Sequence, residues 1–451
     1  MRATPTLRFA LVLLPLLLSS PGFPQARSTR AGAVQPSESA RKLIAVKVTG
    51  SKRFPQDDVV AASGLQMGSL ANDDDFKKAS RHLADTGAFR DIAYTFSYSS
   101  AGTKLEFQLA DADKFLPATF EDFVWFSDDE LPQKIREHVP LFNGELPISG
   151  RLPDEVSDVL QALLVQKGVP GHVNYLRAAG PSGLIETFNY TVTDVLIRVR
   201  NVEFTGAGAN ELPLLQAAAE RLPDREYARS RMNVFVEHQL LPIYHSRGYL
   251  KASFSAPQPT VVKPAGSEST DEARNQTFVD VALAVSPGQQ YKLSKVEWSG
   301  NRELATDALQ GMIHLKPGQP ANTVRLADDL SVVRDVYAAK GYIRASVTPE
   351  AQLDDATDTV AIHLEVKEDY VYHMGELEFR GLDNSLTAKL RSAWKLRPGD
   401  VYDATYLGQY LPQAKKLLPP ALDWNVVTHV TANMRDKTVD VDLQYAAKAP
   451  R

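Results

Sequence analysis

Hydrophobic positions recur along this chain of 451 residues in a pattern that predicts the same elements several times. The clearest copy occupies residues 289–369. It opens with the alternating segment "LSKVEWSG", which closes on Gly300 and predicts a β-strand. Two later alternating segments, "GYIRASV" and "TVAIHLEV", predict two more strands. Before them, apolar residues at helical spacing predict a helix with one buried face: Leu326, Leu330, Val333 and Tyr337.

The order strand, helix, helix, strand, strand returns in four other segments of the chain. Two nine-residue stretches make the repetition visible: "SRGYLKASF" begins at Ser246, and "AKGYIRASV" begins at Ala339. A Gly in this place is expected, because the end of a helix often requires a residue with positive φ. The equivalent glycines are Gly87, Gly168, Gly248 and Gly341, which lie 81, 80 and 93 positions apart. We therefore predict internal repeats.

The predicted fold class is α+β, with five βααββ modules that each contain a three-stranded sheet covered by two helices. Module 1 is assigned to residues 43–113, module 2 to 114–195, module 3 to 196–288, module 4 to 289–369 and module 5 to 370–447. Module 3 is longer because residues 262–277 are polar, rich in turn formers and without periodicity. Such an insertion is tolerated in a hairpin loop.

Three modules depart from the common pattern. Module 5 lacks the Gly after its second helix and carries Pro419 and Pro420 there. In module 2, the segment "FEDFVWF" from Phe120 is the predicted first strand, and it carries Trp125 and Phe126 where other modules have Gly. In module 3, Pro242 falls inside the second predicted helix and should kink it, since Pro removes a backbone donor.

The N-terminal residues resemble an export signal. Arg2 and Arg8 accompany an apolar run from Phe9 to Leu18, and small residues follow. This run is shorter than the ~20 residues that span a bilayer. We predict a signal peptide and processing region over 1–33 and a linker over 34–42, with an uncleaved membrane anchor as the alternative. The sequence has no second apolar run of spanning length, so we expect a periplasmic protein with at most peripheral contact with the outer membrane.

Composition narrows the classes of function. The chain has no Cys, which excludes disulfides, thiolate metal sites and Cys nucleophiles. Its formal net charge is -5, whereas a nucleic-acid-binding protein would present a basic surface. We expect no nucleic-acid partner.

In its order of elements, the repeated unit resembles the POTRA domain, the polypeptide-transport-associated module. The resemblance rests on a strand closing on Gly, a helix, a loop such as "LKPGQP", a second helix, Gly-aromatic and two strands. Tandem POTRA domains occur in outer-membrane assembly proteins of the BamA and TamA type. In this chain only "AAKAPR" follows the last predicted strand near Tyr445, so we expect no C-terminal membrane barrel here.

The resemblance implies a periplasmic, chaperone-like scaffold that assists outer-membrane protein assembly or transport. Its implied partners are unfolded or nascent outer-membrane proteins, an outer-membrane barrel or an envelope assembly complex. It implies no catalytic residues, cofactor or metal. Two alternatives stay open: an envelope scaffold for cell division or two-partner secretion, and a secreted hydrolase with paired carboxylates.

The resemblance also places the second strand of each module at an open sheet edge, where an extended segment can be added as a further strand. The segment from Asp91 to Ser99 is the candidate edge, because it is rich in β-formers and has no Pro or Lys. The predicted partner-binding residues are Ile92, Ala93, Tyr94, Thr95, Phe96, Ser97 and Tyr98. In an alternative interpretation of the side chains, the aromatic face packs on the two helices.

Four other segments have a functional and a structural interpretation. "NDDD" at Asn72 could bind a cation, but its place before a helix favours capping. "LDDATD" at Leu353 lacks the Gly and Glu of a calcium loop and predicts a hairpin turn. His363 and His373 lie in or beside strands without a paired ligand motif. "RSRMNVF" at Arg229 could bind a phosphate, but a solvated helix start is favoured.

Overall fold

The computed structural model describes residues 37–180, 183–222, 225–262, 275–420 and 422–448. The predicted signal peptide over 1–33 lies outside these residues, as does most of the predicted insertion at 262–277. One compact unit ends at Asp113, and a second begins at Lys114. The described residues form five sheets, one for each predicted module, and helices accompany each sheet. The α+β prediction is therefore confirmed.

Module 1 begins earlier than predicted. Its elements are α1 (Glu38–Arg41), β1 (Leu43–Thr49), α2 (Gln56–Ala62), α3 (Asp73–Asp85), β2 (Phe89–Ser99) and β3 (Gly102–Asp111). The sheet order is β1-β3-β2, with β1 parallel and β2 antiparallel to β3. Residues 37–42, predicted as linker, include α1, in which Ala40 is buried and its carbonyl accepts a hydrogen bond from Thr103 Oγ1 (2.7 Å).

Module 2 has a four-stranded sheet where three strands were predicted. Its elements are β4 (Phe115–Phe120), α4 (Glu130–His138), β5 (Glu145–Pro147), α5 (Leu152–Gln166), β6 (His172–Ala179) and β7 (Ile185–Thr193), and the sheet order is β5-β4-β7-β6. The first strand ends at Phe120, whereas the sequence pattern predicts that it begins there. The prediction is wrong because Pro117 interrupts β4, which pairs with β5 before Ala118 and with β7 from Ala118 onward.

Module 3 is the most irregular copy. Its elements are β8 (Leu196–Thr205), α6 (Leu212–Glu220), α7 (Arg229–Phe235), a π-helical turn (Val236–Leu240), α8 (Leu241–His245), β9 (Ser253–Phe254), β10 (Gln258–Val262) and β11 (Gln276–Ser286). The predicted kink takes the form of the π-helical turn directly before Pro242. The predicted single second strand is split into β9 and β10, which both pair with β11, and Gln276 and Thr277 belong to β11 rather than to the insertion.

Modules 4 and 5 match the predicted three-stranded pattern. Module 4 contains β12 (Lys292–Ser299), α9 (Thr306–Gln310), α10 (Thr323–Ala339), β13 (Ser346–Asp354) and β14 (Thr359–Lys367), in sheet order β12-β14-β13. Module 5 contains β15 (His373–Arg380), α11 (Asn384–Ala393), α12 (Tyr406–Leu417), β16 (Asp423–Asn433) and β17 (Thr438–Lys448), in sheet order β15-β17-β16. The helical stripe predicted for module 4 is buried in its core: Leu326, Leu330, Val333 and Tyr337.

Candidate functional site

The candidate site in module 1 is an edge strand. From Asp91 to Ser99, β2 pairs with β3 in a continuous antiparallel register in which Tyr94 lies opposite Phe107 and Phe96 lies opposite Leu105. Within the described residues of module 1, no strand pairs with the other side of β2. An unpaired edge carries backbone N–H and C=O groups that can bind an added strand. The predicted residues Ile92 to Tyr98 all lie on this strand.

The two faces of β2 have different surroundings. Tyr94 and Phe96 pack against Phe76 of α3, with ring centroids 6.4 and 5.1 Å apart, and Tyr98 extends the row at 5.3 Å from Phe96. On the opposite face, three small side chains are exposed: Ala93, Thr95 and Ser97. The aromatic face therefore contributes to the module core, and the backbone edge and the small exposed face stay accessible within module 1.

A polar network anchors the aromatic face to the start of α3. Tyr94 Oη donates to Asp73 Oδ1 (2.9 Å), and Lys77 Nζ lies 2.6 Å from Asp73 Oδ2. The hydrogen bond from Lys77, followed by that from Tyr94, lowers the pKa of Asp73 below its usual value. Desolvation raises the pKa of Tyr94, so its hydroxyl stays protonated and can donate.

The acidic run before α3 is a helix cap. Asn72 Oδ1 accepts from the amides of Asp74 (2.8 Å) and Asp75 (3.3 Å), and Asp75 Oδ2 accepts from the Asn72 amide (3.0 Å). This reciprocal arrangement is a capping box. The capping interpretation of "NDDD" is confirmed.

The direction of the edge amides can be derived from module 3. In an antiparallel ladder, successive residues turn their backbone N–H and C=O alternately toward and away from the neighbouring strand. The Ser255 amide donates to Ala284 O (2.7 Å), so it faces β11. Phe254, which pairs with Val285, must then face away from the sheet.

The same alternation applies to β2. The carbonyl of Val285 lies against Gly206, and the carbonyl of Leu109 lies against Gly50 in the same way, so the two carbonyls are equivalent. Leu109 pairs with Ile92. We infer that the outward-facing amides of β2 are those of Ile92, Tyr94, Phe96 and Tyr98, and that the inward-facing ones are those of Ala93, Thr95 and Ser97.

The five second-strand edges are not equally suited to accept a strand. β10 contains Pro259 and β13 contains Pro349, and a Pro removes one edge donor. β2, β6 and β16 contain neither Pro nor Lys, and exposed apolar residues lie on the latter two, among them Leu176 and Val430. The prediction from sequence names only β2, although the absence of Pro and Lys is visible in the sequences of β6 and β16 as well.

The other candidate segments have structural roles. "LDDATD" forms the turn between β13 and β14, where Asp355 accepts from Lys251 Nζ (2.6 Å) and Tyr291 Oη (2.6 Å). His363 Nε2 lies 2.8 Å from Ser299 Oγ. His373 contributes its backbone amide, which donates to Lys437 O (2.9 Å).

The start of α7 is partly solvated, as predicted, since Ser230 and Arg231 are exposed. It is also held by module 2: Arg229 pairs with Asp128, and the Ser230 amide donates to Glu121 Oε2 (2.7 Å). Carboxylates of module 2 therefore occupy the position that a phosphate would take. Among the described residues, no cluster of three His, Asp or Glu side chains has the geometry of a metal site.

No helix in the part of the chain that the structure describes is both long enough and apolar enough to cross a membrane. Residues 291–369 match the family model for POTRA, described as the surface antigen variable number repeat. The match to the POTRA model is confined to module 4. It begins one residue before β12 and ends two residues after β14, so it covers every element of that module. The other four modules resemble module 4 in their order of elements.

Two curated relatives are assembly factors. A putative outer membrane protein assembly factor of Treponema pallidum is 30% identical over 159 residues, which cover 35% of this chain and 18% of that protein. The outer membrane protein assembly factor BamA of Buchnera aphidicola is 19% identical over 434 residues, covering 89% of this chain and 63% of that protein. The chain thus spans less than two thirds of the length of either relative.

A crystal structure of POTRA domains 3–5 of Haemophilus influenzae BamA aligns with a TM-score of 0.43 and 18% identity, and covers 61% of this chain and 97% of that one. The structure of POTRA domains 1–3 of Omp85 from Anabaena aligns with a TM-score of 0.24 and 17% identity, covering 56% of this chain and 96% of that one.

Proposed function

We propose that this chain is a periplasmic scaffold that assists outer-membrane protein assembly by holding extended polypeptide segments on open sheet edges. The observation that carries the proposal is the edge of β2, which has β3 on one side and no described strand of module 1 on the other. The POTRA match and the assembly-factor relatives support the cellular role.

The chemistry of a strand edge suits unfolded clients of many sequences. Main-chain hydrogen bonds provide affinity without requiring particular side chains. The exposed face of β2 carries small residues, so side chains of a client strand would meet little steric resistance beside Thr95 and Ser97. The proposed partners are therefore unfolded outer-membrane proteins, or an extended segment of an envelope assembly complex. The matched family is one of scaffolding modules rather than enzymes.

The test is Tyr98→Pro, compared with Tyr98→Ala. Tyr98 is 37% exposed and its amide is inferred to face outward, so Pro removes an edge donor without breaking the pairing with β3. Since one backbone hydrogen bond contributes about 0.5–1.5 kcal/mol, Pro should weaken docking by about 2- to 12-fold relative to Ala. Binding of a fluorescein-labelled peptide of alternating Thr and Val is measured by anisotropy.

Ser97→Pro serves as the contrasting variant. Its amide is inferred to face β3, so this change should disrupt the ladder and reduce the folded fraction, measured by circular dichroism. Equal peptide affinity in folded Tyr98→Pro and Tyr98→Ala proteins would contradict docking on this edge.

A further inference from the structure

In modules 1, 3, 4 and 5 the first strand forms the second edge of the sheet, and the N-terminal part of that strand is already paired. In module 3, a loop pairs with it: the Tyr227 amide donates to Ile197 O (2.8 Å), and the Val199 amide donates to Arg225 O (2.6 Å). The residue partners then shift by one between Val199 and Asn201. This bulge changes which residues face outward, so Val202 and Phe204 follow as the outward-facing positions of β8.

Module 1 reveals what such an outward amide binds. Val48 lies two residues before Gly50, as Phe204 lies two residues before Gly206. The Val48 amide donates to Gln56 Oε1 (3.2 Å). Gln56 is the first residue of α2, and its side-chain carboxamide has the same acceptor as a peptide group. The Gln56 carbonyl thus stands in for the carbonyl of an added strand.

Module 3 lacks this internal acceptor. Leu212 is the first residue of α6 and lies six positions after Gly206, as Gln56 lies six positions after Gly50. Its side chain cannot accept a hydrogen bond. A groove of about 460 Å³ lies between β8 and α6, and its lining includes Val202, Phe204, Leu212 and Gln216. Its volume is within the range of ligand sites in proteins.

Module 4 repeats the arrangement. Thr306 is the first residue of α9, and its hydroxyl oxygen accepts from Asn301 Nδ2 (3.1 Å). A groove of about 680 Å³ lies beside Val296 and Trp298, the positions equivalent to Val202 and Phe204. A groove therefore adjoins the first-strand edge in modules 3 and 4, whose first helices begin with Leu212 and Thr306 rather than Gln.

We propose that the groove between β8 and α6 of module 3 is a docking site for a short extended segment of an unfolded polypeptide. A main-chain carbonyl of that segment accepts from the Phe204 amide, as the Gln56 carboxamide does from the Val48 amide. This site is separate from the β2 edge and does not depend on docking there. It is short, because only the part of β8 after the bulge is open.

The decisive variant is Leu212→Gln, which transplants the internal acceptor of module 1 into module 3. Leu212→Met is the matched control, since it keeps an apolar side chain of similar size. The probe is the peptide of alternating Thr and Val, and the readout is amide hydrogen exchange at Phe204 measured by NMR in the full chain. The probe should slow exchange at Phe204 in wild type and in Leu212→Met. In Leu212→Gln, exchange should already be slow and the probe should add less than a twofold change.

The reciprocal variant, Gln56→Leu, should open the first-strand edge of module 1, so that the probe then slows exchange at Val48. Exchange at the buried Val281 amide is the folding control. The proposal is overturned if the probe leaves Phe204 unchanged in wild type, or if it protects Phe204 equally in Leu212→Gln. If Phe204 fails these tests but Tyr98→Pro still weakens peptide binding, only the groove proposal is overturned. If Tyr98→Pro has no effect on peptide binding but Phe204 is protected as expected, only the proposal for the β2 edge is overturned.

Discussion

Single backbone positions determine how closely the strands of a module can approach. A Cβ at Gly300 would lie 2.1 Å from the carbonyl oxygen of Val366, and its φ is +79°. Only Gly can combine that contact with a positive φ. Three equivalent positions have the same close carbonyl: Gly50, Gly206 and Gly381. Module 2 lacks such a residue, and its first strand pairs differently.

Asp122 is a half-buried carboxyl group in module 2 that makes stability depend on pH. Its Oδ2 accepts from the Val192 amide (3.3 Å). The pKa of Asp122 is raised to about 6, mainly by burial and to a smaller extent by Glu121 and Glu226, while the Val192 amide and Arg231 act against the shift. The folded state therefore binds the proton more tightly than the unfolded state, whose Asp pKa is about 4.

We predict that module 2 loses up to about 3 kcal/mol of stability as pH rises from about 4 to about 6, and that Asp122→Asn removes this loss. Hydrogen exchange in β7, followed by mass spectrometry across that pH range and corrected for intrinsic rates, measures it. Asp158→Asn, at an exposed residue of α5, is the control and should leave the pH profile unchanged. If the loss of stability with rising pH persists in Asp122→Asn, another titrating group must cause it.

The repeated stretch after the second helix joins successive modules. The Tyr291 amide donates to Gly248 O (2.8 Å), and the Tyr372 amide donates to Gly341 O (2.9 Å). The aliphatic residues two positions later, Leu250 and Ile343, pack against the cores of modules 4 and 5. The similarity of "RGYL" and "KGYI" is therefore explained by the same contact between successive modules, here called the joint, which occurs twice.

Gly341→Ala should loosen the joint between modules 4 and 5. The Gly341 φ is +87°, and a Cβ would lie 2.9 Å from Tyr372 O. Gly399→Ala is a matched control, because Gly399 has φ +90° with nothing within 4 Å of the added Cβ. Both variants lose about 1 kcal/mol from the positive φ; only Gly341→Ala should also raise exchange of the Tyr372 amide. Equal exchange in the two variants would contradict the steric role of Gly341.

Across residues 196–447, the modules are coupled through their cores as well as through the chain. Leu250 belongs to module 3 by sequence but packs in the module 4 cluster. We predict that Leu250→Ala destabilises both modules by about 1–2 kcal/mol, since a partly buried Leu loses less than a fully buried one. Exchange should rise about 5- to 30-fold in β11 and β14.

Leu353→Ala is the control for this coupling, because Leu353 is 38% exposed and lies outside the module 4 core cluster. This variant should leave the amide exchange rates in both β11 and β14 unchanged. A change in exchange confined to one of the two strands, and above all to β14, whose core Leu250 contacts, would show that the two cores unfold independently.

The sequence by itself determined the number of modules, their order of elements and the buried helical stripe of module 4, because periodicity records which face is buried. It also determined the cap at Asn72. Only the tertiary structure decided what depends on contacts distant in sequence: that β4 changes partner at Ala118, that Glu121 caps α7, and that Leu250 packs in the next module. The strand edges also depend on both levels. Composition identified β2 as a strand without Pro or Lys. The direction of its amides and the groove beside β8 follow instead from register and bulges, which are set by pairing between strands.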